Sequence, residues 1–216
     1  MKHAEAAYWD QFWDQPDVGL QWKQLAAAEL IRTDPVLDIG CGSGLLLELL
    51  REKGFRSLTG CDIASKSTKI LATKGLRALR CDVERPLPFA SGSFATAALI
   101  DVLEHTFQPA RLLNEAARVA RDVVIVVPNF NSIVARLQVM AGRVPENNTP
   151  RKQHVYWFNY GKLREVVSSA GLEIEAERFH SFKYDHRLFA APFRLLARAR
   201  PTVFSLAFAA RLRPKA

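Results

Sequence analysis

The chain has 216 residues, of which 49% are hydrophobic and 24% charged, so it is long enough for one α/β domain with a substantial core. Its formal charge of +8 is concentrated at the end, because seven of the 30 lysines and arginines, and none of the 22 acidic residues, lie beyond residue 186. The rest of the chain is nearly neutral, which argues against a broad nucleic-acid-binding surface.

The N-terminal stretch, MKHAEAAYWDQFWDQPD, mixes acids with aromatic residues and is unlike a secretory signal peptide. No apolar run approaches the roughly 20 residues that a membrane-spanning helix needs. Three cysteines without such a leader are typical of the reducing cytoplasm, where we expect the protein to reside. Because Cys41, Cys61 and Cys81 have unlike contexts, small buried thiols are favoured over a shared metal site.

Short apolar runs alternate with amphipathic segments as far as Asn129, which is typical of a parallel α/β sheet. Strands are predicted in PVLDIG, RSLTGCDI, LRALRCDV, SFATAALIDV and DVVIVVPN, and helices in LLLELLREKG, SKSTKILATKG and PARLLNEAARVA. Since parallel strands need a crossover connection, this order predicts right-handed βαβ units.

The remainder of the chain is less regular. NFNSIVARLQVM begins as a helix and leads into a loop rich in Pro and Asn, NYGKLREVVSSAG predicts a helix, and LEIEAERFHS and FSLAFAARLR predict strands. No linker divides the sequence, so we expect one domain over residues 1–216. Within it we expect an N-terminal helical lid (1–33), a cofactor-binding half (34–128) and a substrate-side half with a basic tail (129–216).

The stretch VLDIGCGSG, Val36 to Gly44, forms the first strand-to-helix turn, where an open parallel sheet binds its ligands. Glycines let a ligand approach the backbone, and the start of the next helix favours an anion or polar group. A dinucleotide site requires G-x-G-x-x-G, but Leu45 follows Gly44 directly, and no Walker Gly-Lys-Ser/Thr is present. Asp38, just before the first glycine, has no part in either motif.

Two further acids follow the next two strands. Asp62 ends the second strand, where a carboxylate can accept the hydroxyl groups of a ribose, and Asp82 ends the third, within reach of an adenine amino group. A single acid at such a place often only caps the next helix. Acids at three consecutive strand ends indicate a nucleoside-binding site.

Together, VLDIGCGSG, GCDIA, RCDVERPLPFASGSFATAALIDVLEHT and VVIVVPN resemble the motifs of class I S-adenosylmethionine-dependent methyltransferases. The resemblance implies a three-layer, Rossmann-like α/β sandwich whose mostly parallel seven-stranded sheet has an antiparallel last strand. It also implies S-adenosylmethionine as cofactor, with Asp38 near its ammonium and sulfonium charges. The cofactor-binding residues that it implies are Asp38, Gly40, Cys41, Gly42, Gly44, Asp62, Ile63, Asp82, Val83 and Asp101.

The segment LIDVLEHT follows the fourth strand, where that family places residues beside the reactive methyl group. On one helical turn, Asp101, Glu104 and His105 would share a face, with Asp101 as cap and His105 as candidate general base. The alternative is a divalent metal cluster of Asp101, Glu104, His105 and His154, as in a minority of related methyltransferases. We favour the site without metal.

Aromatic residues mark the expected substrate side. Tyr8, Trp9, Phe12, Trp13 and Trp22 would form either a lid or, as we favour, the buried face of a helix packed on the sheet. Trp157 and Phe158 are expected to pack under the helix that follows them. This region and the preceding NFNSIVARLQVMAGRVP resemble the methionine-biosynthesis W protein, a group that accompanies a homoserine acyltransferase.

The basic tail from His186 onward alternates apolar clusters with arginines. It predicts a short helix, a loop at Pro201 and a last strand with solvated arginines, and the alternative is peripheral contact with an anionic membrane. We expect methylation of a small molecule at an oxygen atom. The alternatives are a cofactor-binding regulatory partner of a biosynthetic acyltransferase and an RNA 3′-end methyltransferase, which the neutral body disfavours.

Overall fold

The computed structural model of the protein describes residues 2–12, 19–149, 152–181 and 190–215. Its strands are β1 (Val36–Ile39), β2 (Leu58–Asp62), β3 (Arg77–Arg80), β4 (Phe94–Ile100), β5 (Ala120–Pro128), β6 (Leu172–His180) and β7 (Ala207–Pro214). They form one seven-stranded sheet in the order β3-β2-β1-β4-β5-β7-β6. Strands β1 to β5 pair in parallel, whereas β7 runs antiparallel to both β5 and β6. The predicted fold class is confirmed.

Helices cover both faces of this sheet. They are α1 (Lys2–Phe12), α2 (Trp22–Leu30), α3 (Leu45–Glu52), α4 (Ser65–Thr73), α5 (Pro109–Val119), α6 (Ile133–Met140), α7 (Tyr160–Ser169), α8 (Ala190–Ala199) and α9 (Pro201–Phe204). Short 3-10 turns occur at Leu103–His105 and Glu146–Asn148. Local signals explain several starts: Pro109 is the first residue of α5, and the Asn159 side chain accepts a hydrogen bond from Lys162 N at the start of α7.

The core is divided by the sheet into two clusters. Because successive strand residues point to opposite faces, Val36 of β1 joins the cluster under α2 and α3, while Leu37 and Ile39 join the one under α5 and α7. The central strand β5 is apolar on both faces from Val123 to Val127, as expected for a strand buried between helices. The result is the expected three-layer sandwich.

The tail contains the predicted short helix, α8, and the predicted last strand, but the prediction of a loop at Pro201 is wrong, and so is the predicted exposure of one arginine. Helix α9 begins at Pro201, and β7 inserts between β5 and β6 instead of lying at an edge. The Arg211 side chain is therefore buried, where it pairs with Glu175, so the prediction of solvated arginines is wrong for this residue. None of the helices among the described residues is long and apolar enough to cross a membrane.

Candidate active site

The glycine loop between β1 and α3 forms the floor of the site. Gly40, Gly42 and Gly44 have φ values of 71°, 53° and 82°, in the left-handed region that favours glycine. A Cβ atom on Gly40 would lie 2.6 Å from Cγ2 of Val102, which lies in the segment after β4. Gly40 must therefore lack a side chain, both for the loop to turn and for it to pack against that segment.

Asp62 connects the ends of β1 and β2. Its Oδ2 atom accepts a hydrogen bond of 2.9 Å from Gly42 N, and its Oδ1 atom accepts one of 2.9 Å from Ala64 N. Burial raises the pKa of Asp62, and these backbone bonds oppose the rise. Asp62 thus holds the glycine loop in place, and the remaining lone pairs of its carboxylate stay available to hydroxyl donors.

Asp38 lies beneath the loop, in the middle of the sheet. Its side chain is buried, and no hydrogen bond to its carboxylate occurs within residues 2–12, 19–149, 152–181 and 190–215. Burial, followed by the Asp62 carboxylate, raises the pKa of Asp38 to about 8. A buried carboxylate without a partner is costly, so a cation brought by a ligand would be favoured here.

A cavity of about 370 Å³ continues the site past the end of β3. Ile63, Cys81 and Asp82 are among the residues that line it, together with Ala6 of α1. The Asp82 carboxylate is positioned by a hydrogen bond of 2.9 Å from Glu84 N. This is the place at which the sequence predicts the adenine, and Ala6 is a lining residue that the sequence did not indicate.

Helix α1 covers this region from the N-terminal side. Its Asp10 carboxylate accepts hydrogen bonds from Ser65 Oγ (3.0 Å) and Lys66 N (2.8 Å) at the start of α4, and the Lys66 bond lowers the pKa of Asp10. The Trp9 ring meets the edge of the His105 ring, with 5.0 Å between centroids. Helix α1 therefore packs against the site, and the expectation that its aromatic residues face the sheet is wrong for Trp9.

The other predicted aromatic positions differ in their surroundings. Trp22 packs against the core under α2 and stacks on His180, as expected for a helix on the sheet. Phe158 is fully buried, whereas Trp157 is 54% exposed, so the prediction that both pack under α7 is wrong for Trp157. The Phe12 side chain and Trp13 lie outside the described residues.

The segment after β4 does not form the single helical turn that the sequence predicts. Asp101 has a φ of 53° and turns the chain before the 3-10 turn begins, and Val102 takes the capping position without a side-chain bond. The Asp101 carboxylate instead pairs with Lys23 Nζ of α2 at 2.6 Å. The predicted capping role of Asp101 is therefore wrong, because Val102 takes the capping position and the Asp101 carboxylate pairs with Lys23.

Glu104, His105 and His154 come together beside this turn, and one ligand-capable atom from each lies within 4.8 Å of the others. Glu104 is fully buried, and His154 Nε2 lies 3.9 Å from its Oε1 atom. Burial, together with the neighbouring His154, lowers the pKa of His105 to about 4. Both imidazoles are accordingly neutral near pH 7, since burial also lowers the pKa of His154.

The residues that sequence reasoning missed are those contributed by distant elements. Lys23 meets Asp101 across 78 positions of sequence, and Asp10 reaches Lys66 across 56 positions. A lysine in an amphipathic helix and an acid near the N-terminus carry no motif. Only the packing of α1 and α2 against the site could reveal them.

Several solved structures with a similar fold are S-adenosylmethionine-dependent methyltransferases. A possible histamine N-methyltransferase from Thermotoga maritima has a TM-score of 0.66 at 16% identity, with 98% of this chain and 90% of that chain covered. Magnesium protoporphyrin IX methyltransferase from Synechocystis PCC 6803, solved with bound S-adenosylhomocysteine, has a TM-score of 0.65 at 16% identity, with 99% and 96% covered. The chain therefore has the fold of this class of protein.

The family model of the methionine biosynthesis protein MetW matches residues 24–192, and the chain belongs to this family. A relative named ubiquinone biosynthesis O-methyltransferase, from Paracidovorax citrulli, is 30% identical over 151 residues, which cover 64% of this chain and 63% of the relative. The bifunctional methionine biosynthesis protein MetXA/MetW of Rhodopirellula baltica is 26% identical over 80% of this chain and 30% of the relative. The matched segment thus spans less than two thirds of each relative.

Proposed function

We propose that the protein is an S-adenosylmethionine-dependent methyltransferase that acts on a small molecule, at an oxygen atom. The observation that carries the proposal is the buried Asp38 carboxylate, which lies under a loop of three glycines without a hydrogen bond from the described residues. The ammonium and sulfonium groups of S-adenosylmethionine would supply the missing positive charge. Relatives named ubiquinone biosynthesis O-methyltransferase support an oxygen acceptor.

The donor set suits the whole cofactor. Beside Asp38, we assign Gly40, Cys41, Gly42 and Gly44 to the methionine portion, Asp62 and Ile63 to the ribose, Asp82 and Val83 to the adenine, and Asp101 to the rim near the methyl group. When bound, the cofactor supplies an electrophilic methyl group that is already activated by the sulfonium charge. The chain would contribute orientation and, through α1, exclusion of water from the site.

His105 is better suited to position the acceptor than to remove its proton. A general base is most effective when its pKa is near the operating pH. Burial lowers the pKa of His105 to about 4, so its conjugate acid would hold a proton only weakly. We therefore propose that His105 helps to position the acceptor without removing its proton, and that His105→Ala would raise KM more than it lowers kcat.

The test is calorimetric titration of S-adenosylmethionine and S-adenosylhomocysteine into the wild type and Asp62→Ala. Asp34→Ala is the matched control, since the Asp34 carboxylate also accepts a backbone hydrogen bond, from Arg56 N. Asp34 lies just before β1, at the end of the strand opposite to the glycine loop. We expect micromolar binding in the wild type and the control, and its loss in Asp62→Ala. Absence of binding to folded wild type would refute the proposal.

A second candidate is a cofactor-binding regulatory partner of a biosynthetic acyltransferase. It is supported by the MetXA/MetW relative, in which two named units share one chain. Helix α6 also exposes the apolar side chains of Leu137, Val139 and Met140, which a partner could cover. Co-purification with an acyltransferase, without turnover on any small molecule, would favour this role over catalysis.

Two of the other expectations have direct tests. RNA 3′-end methylation requires RNA binding whose affinity falls steeply with salt, which filter binding between 50 and 200 mM salt, roughly, would detect. Membrane contact has some support from α8, which exposes Leu195 and Leu196 beside Arg194 and Arg198. Flotation with anionic liposomes tests it.

A further inference from the structure

The cluster formed by Glu104, His105 and His154 has the composition of a metal centre. Glu104 and His105 lie on the 3-10 turn after β4, and His154 lies on the loop before α7. We propose that these three side chains bind a divalent transition-metal ion, with Zn²⁺ as the best fit, through one carboxylate oxygen and two imidazole nitrogens. The sequence favoured a site without metal, and its alternative cluster included Asp101, which the structure instead pairs with Lys23.

The Glu104 carboxylate lies in surroundings that favour a cation. Both of its oxygens are buried and lack a hydrogen-bond partner within the described part of the chain. The distance of 3.9 Å from Oε1 to His154 Nε2 is too long for a hydrogen bond. A buried carboxylate without hydrogen-bond partners is costly in its ionised form, because no positive charge compensates it. A cation among the three side chains would provide that charge.

The two imidazole rings are oriented as metal ligands usually are. His105 Nδ1 lies 3.2 Å from the Gln153 carbonyl oxygen, and His154 Nδ1 lies 2.7 Å from the Asn147 carbonyl oxygen. Because a carbonyl oxygen can only accept, each Nδ1 must carry the proton and each neutral ring keeps a lone pair on Nε2. A histidine held through one nitrogen by a carbonyl, with the other nitrogen unprotonated, is the usual arrangement of a metal ligand.

The loop that carries His154 is fastened to the turn that carries the other two ligands. Val155 N and Tyr156 N donate hydrogen bonds of 2.9 and 3.0 Å to the Glu104 backbone oxygen. These bonds hold the loop through the backbone and do not involve the Glu104 carboxylate. Gln153 has a φ of 50°, an uncommon conformation for a residue with a side chain. This strained backbone places the Gln153 carbonyl on His105 and so contributes to the orientation of that ring.

The spacing and ligand types favour zinc-like ions over magnesium. Two ligands about 2.1 Å from a tetrahedral ion are roughly 3.4 Å apart, and the observed 3.9 Å between Glu104 Oε1 and His154 Nε2 requires only a small approach. Imidazole nitrogen suits Zn²⁺, Fe²⁺ or Ni²⁺, whereas Mg²⁺ prefers oxygen ligands throughout. Three protein ligands leave at least one coordination position open, as in catalytic rather than structural zinc sites.

The surroundings would shield such an ion and connect it to the cofactor site. The Trp9 ring packs against His105, and the Phe130 ring packs against His154 at 5.2 Å between centroids. The turn follows directly on Val102, which contacts the glycine loop at Gly40. The open coordination position is thus near the place at which the proposed methyl transfer would occur, although metal binding itself does not depend on that reaction.

The test uses tag-free, full-length protein treated with a chelator and then titrated with Zn²⁺ or Co²⁺ in the absence of cofactor. Calorimetry measures stoichiometry and affinity, and the visible absorption of Co²⁺ reports nitrogen and oxygen ligation. Glu104→Gln keeps the shape of the side chain but removes its charge, and His154→Ala is a second, independent variant. His180→Ala is the matched control, because His180 lies in β6, outside the cluster, where it stacks on Trp22 of α2.

We expect one ion per chain in the wild type and in His180→Ala. The affinity should be at least about 10-fold weaker in Glu104→Gln and in His154→Ala, because losing even a residue that only supports a metal ligand usually weakens binding by about this factor. A hundredfold excess of Mg²⁺ should not displace Zn²⁺. Absence of stoichiometric Zn²⁺ and Co²⁺ binding by folded wild type would overturn the proposal. Equal affinities in Glu104→Gln, His154→Ala and His180→Ala would overturn it as well.

Discussion

The proposed contact between Asp38 and the cofactor predicts how cofactor binding depends on pH. Burial raises its pKa to about 8, so the folded, ligand-free protein keeps Asp38 protonated at neutral pH. A ligand that places an ammonium group beside Asp38 binds best to the ionised carboxylate. The ionised fraction rises from about 1% at pH 6 to about 24% at pH 7.5, so the affinity for S-adenosylhomocysteine should rise roughly 20-fold over this interval.

The assay is calorimetric titration at half-unit pH steps between about 6 and 7.5, below the range of about 7.7–8.0 in which an α-amino group usually loses its proton. Asp38→Asn keeps the shape of the side chain and removes the titration, so its affinity should change little with pH. Repeating the titration in buffers of different ionisation enthalpy should show a proton released on binding to the wild type only. An affinity that is equally flat in both proteins would refute the reasoning.

The same pKa predicts how stability depends on pH. The folded-state pKa of Asp38 lies above its unfolded value of 3.8, so its contribution to stability is complete below pH 3.8 and is lost as the pH rises towards 8. In ligand-free protein, Asp38→Asn should therefore weaken the decline in Tm over this interval. A steeper decline in the variant than in the wild type would contradict the sign of the shift.

Three other predictions concern the loop, the thiols and the tail. Gly40→Ala should lower the free energy of unfolding by about 1–3 kcal/mol in urea titration, because its Cβ would lie 2.6 Å from Val102 Cγ2. Gly54→Ala is the control for backbone strain alone, because Gly54 also has a positive φ but has no neighbour within 4 Å of the added Cβ. Equal losses would show that crowding is not the cause. The three cysteines are free and buried, so a thiol reagent should modify none of them within minutes in native protein and all three in urea. Because β7 is an interior strand of the sheet, this part of the tail is not available to a membrane, and we expect most of the protein to remain unbound in flotation with anionic liposomes. Complete recovery with the vesicles would show instead that the exposed face of α8 binds them.

Much of the fold could be predicted because its signals are local. The strands around the glycine loop are short apolar runs bounded by turns, and the helices between them have a clear apolar face. The rule that parallel strands are joined by right-handed crossovers then brings Asp38, Asp62 and Asp82 to the same edge of the sheet. The wrong predictions for Asp101, Trp9, Trp157 and Arg211 all concern which neighbour a side chain meets.

The sequence by itself determined the class of fold and placed three acids at consecutive strand ends, where we propose the cofactor site, because these follow from periodicity and from motifs within single βα units. Only the tertiary structure decided the partners: Lys23 for Asp101, and His154 for Glu104 and His105. Such pairs join residues as far as 78 positions apart, and they depend on a left-handed residue at the end of β4. Neither feature leaves a periodic signal, because each arises from the packing of separate elements around one edge of the sheet.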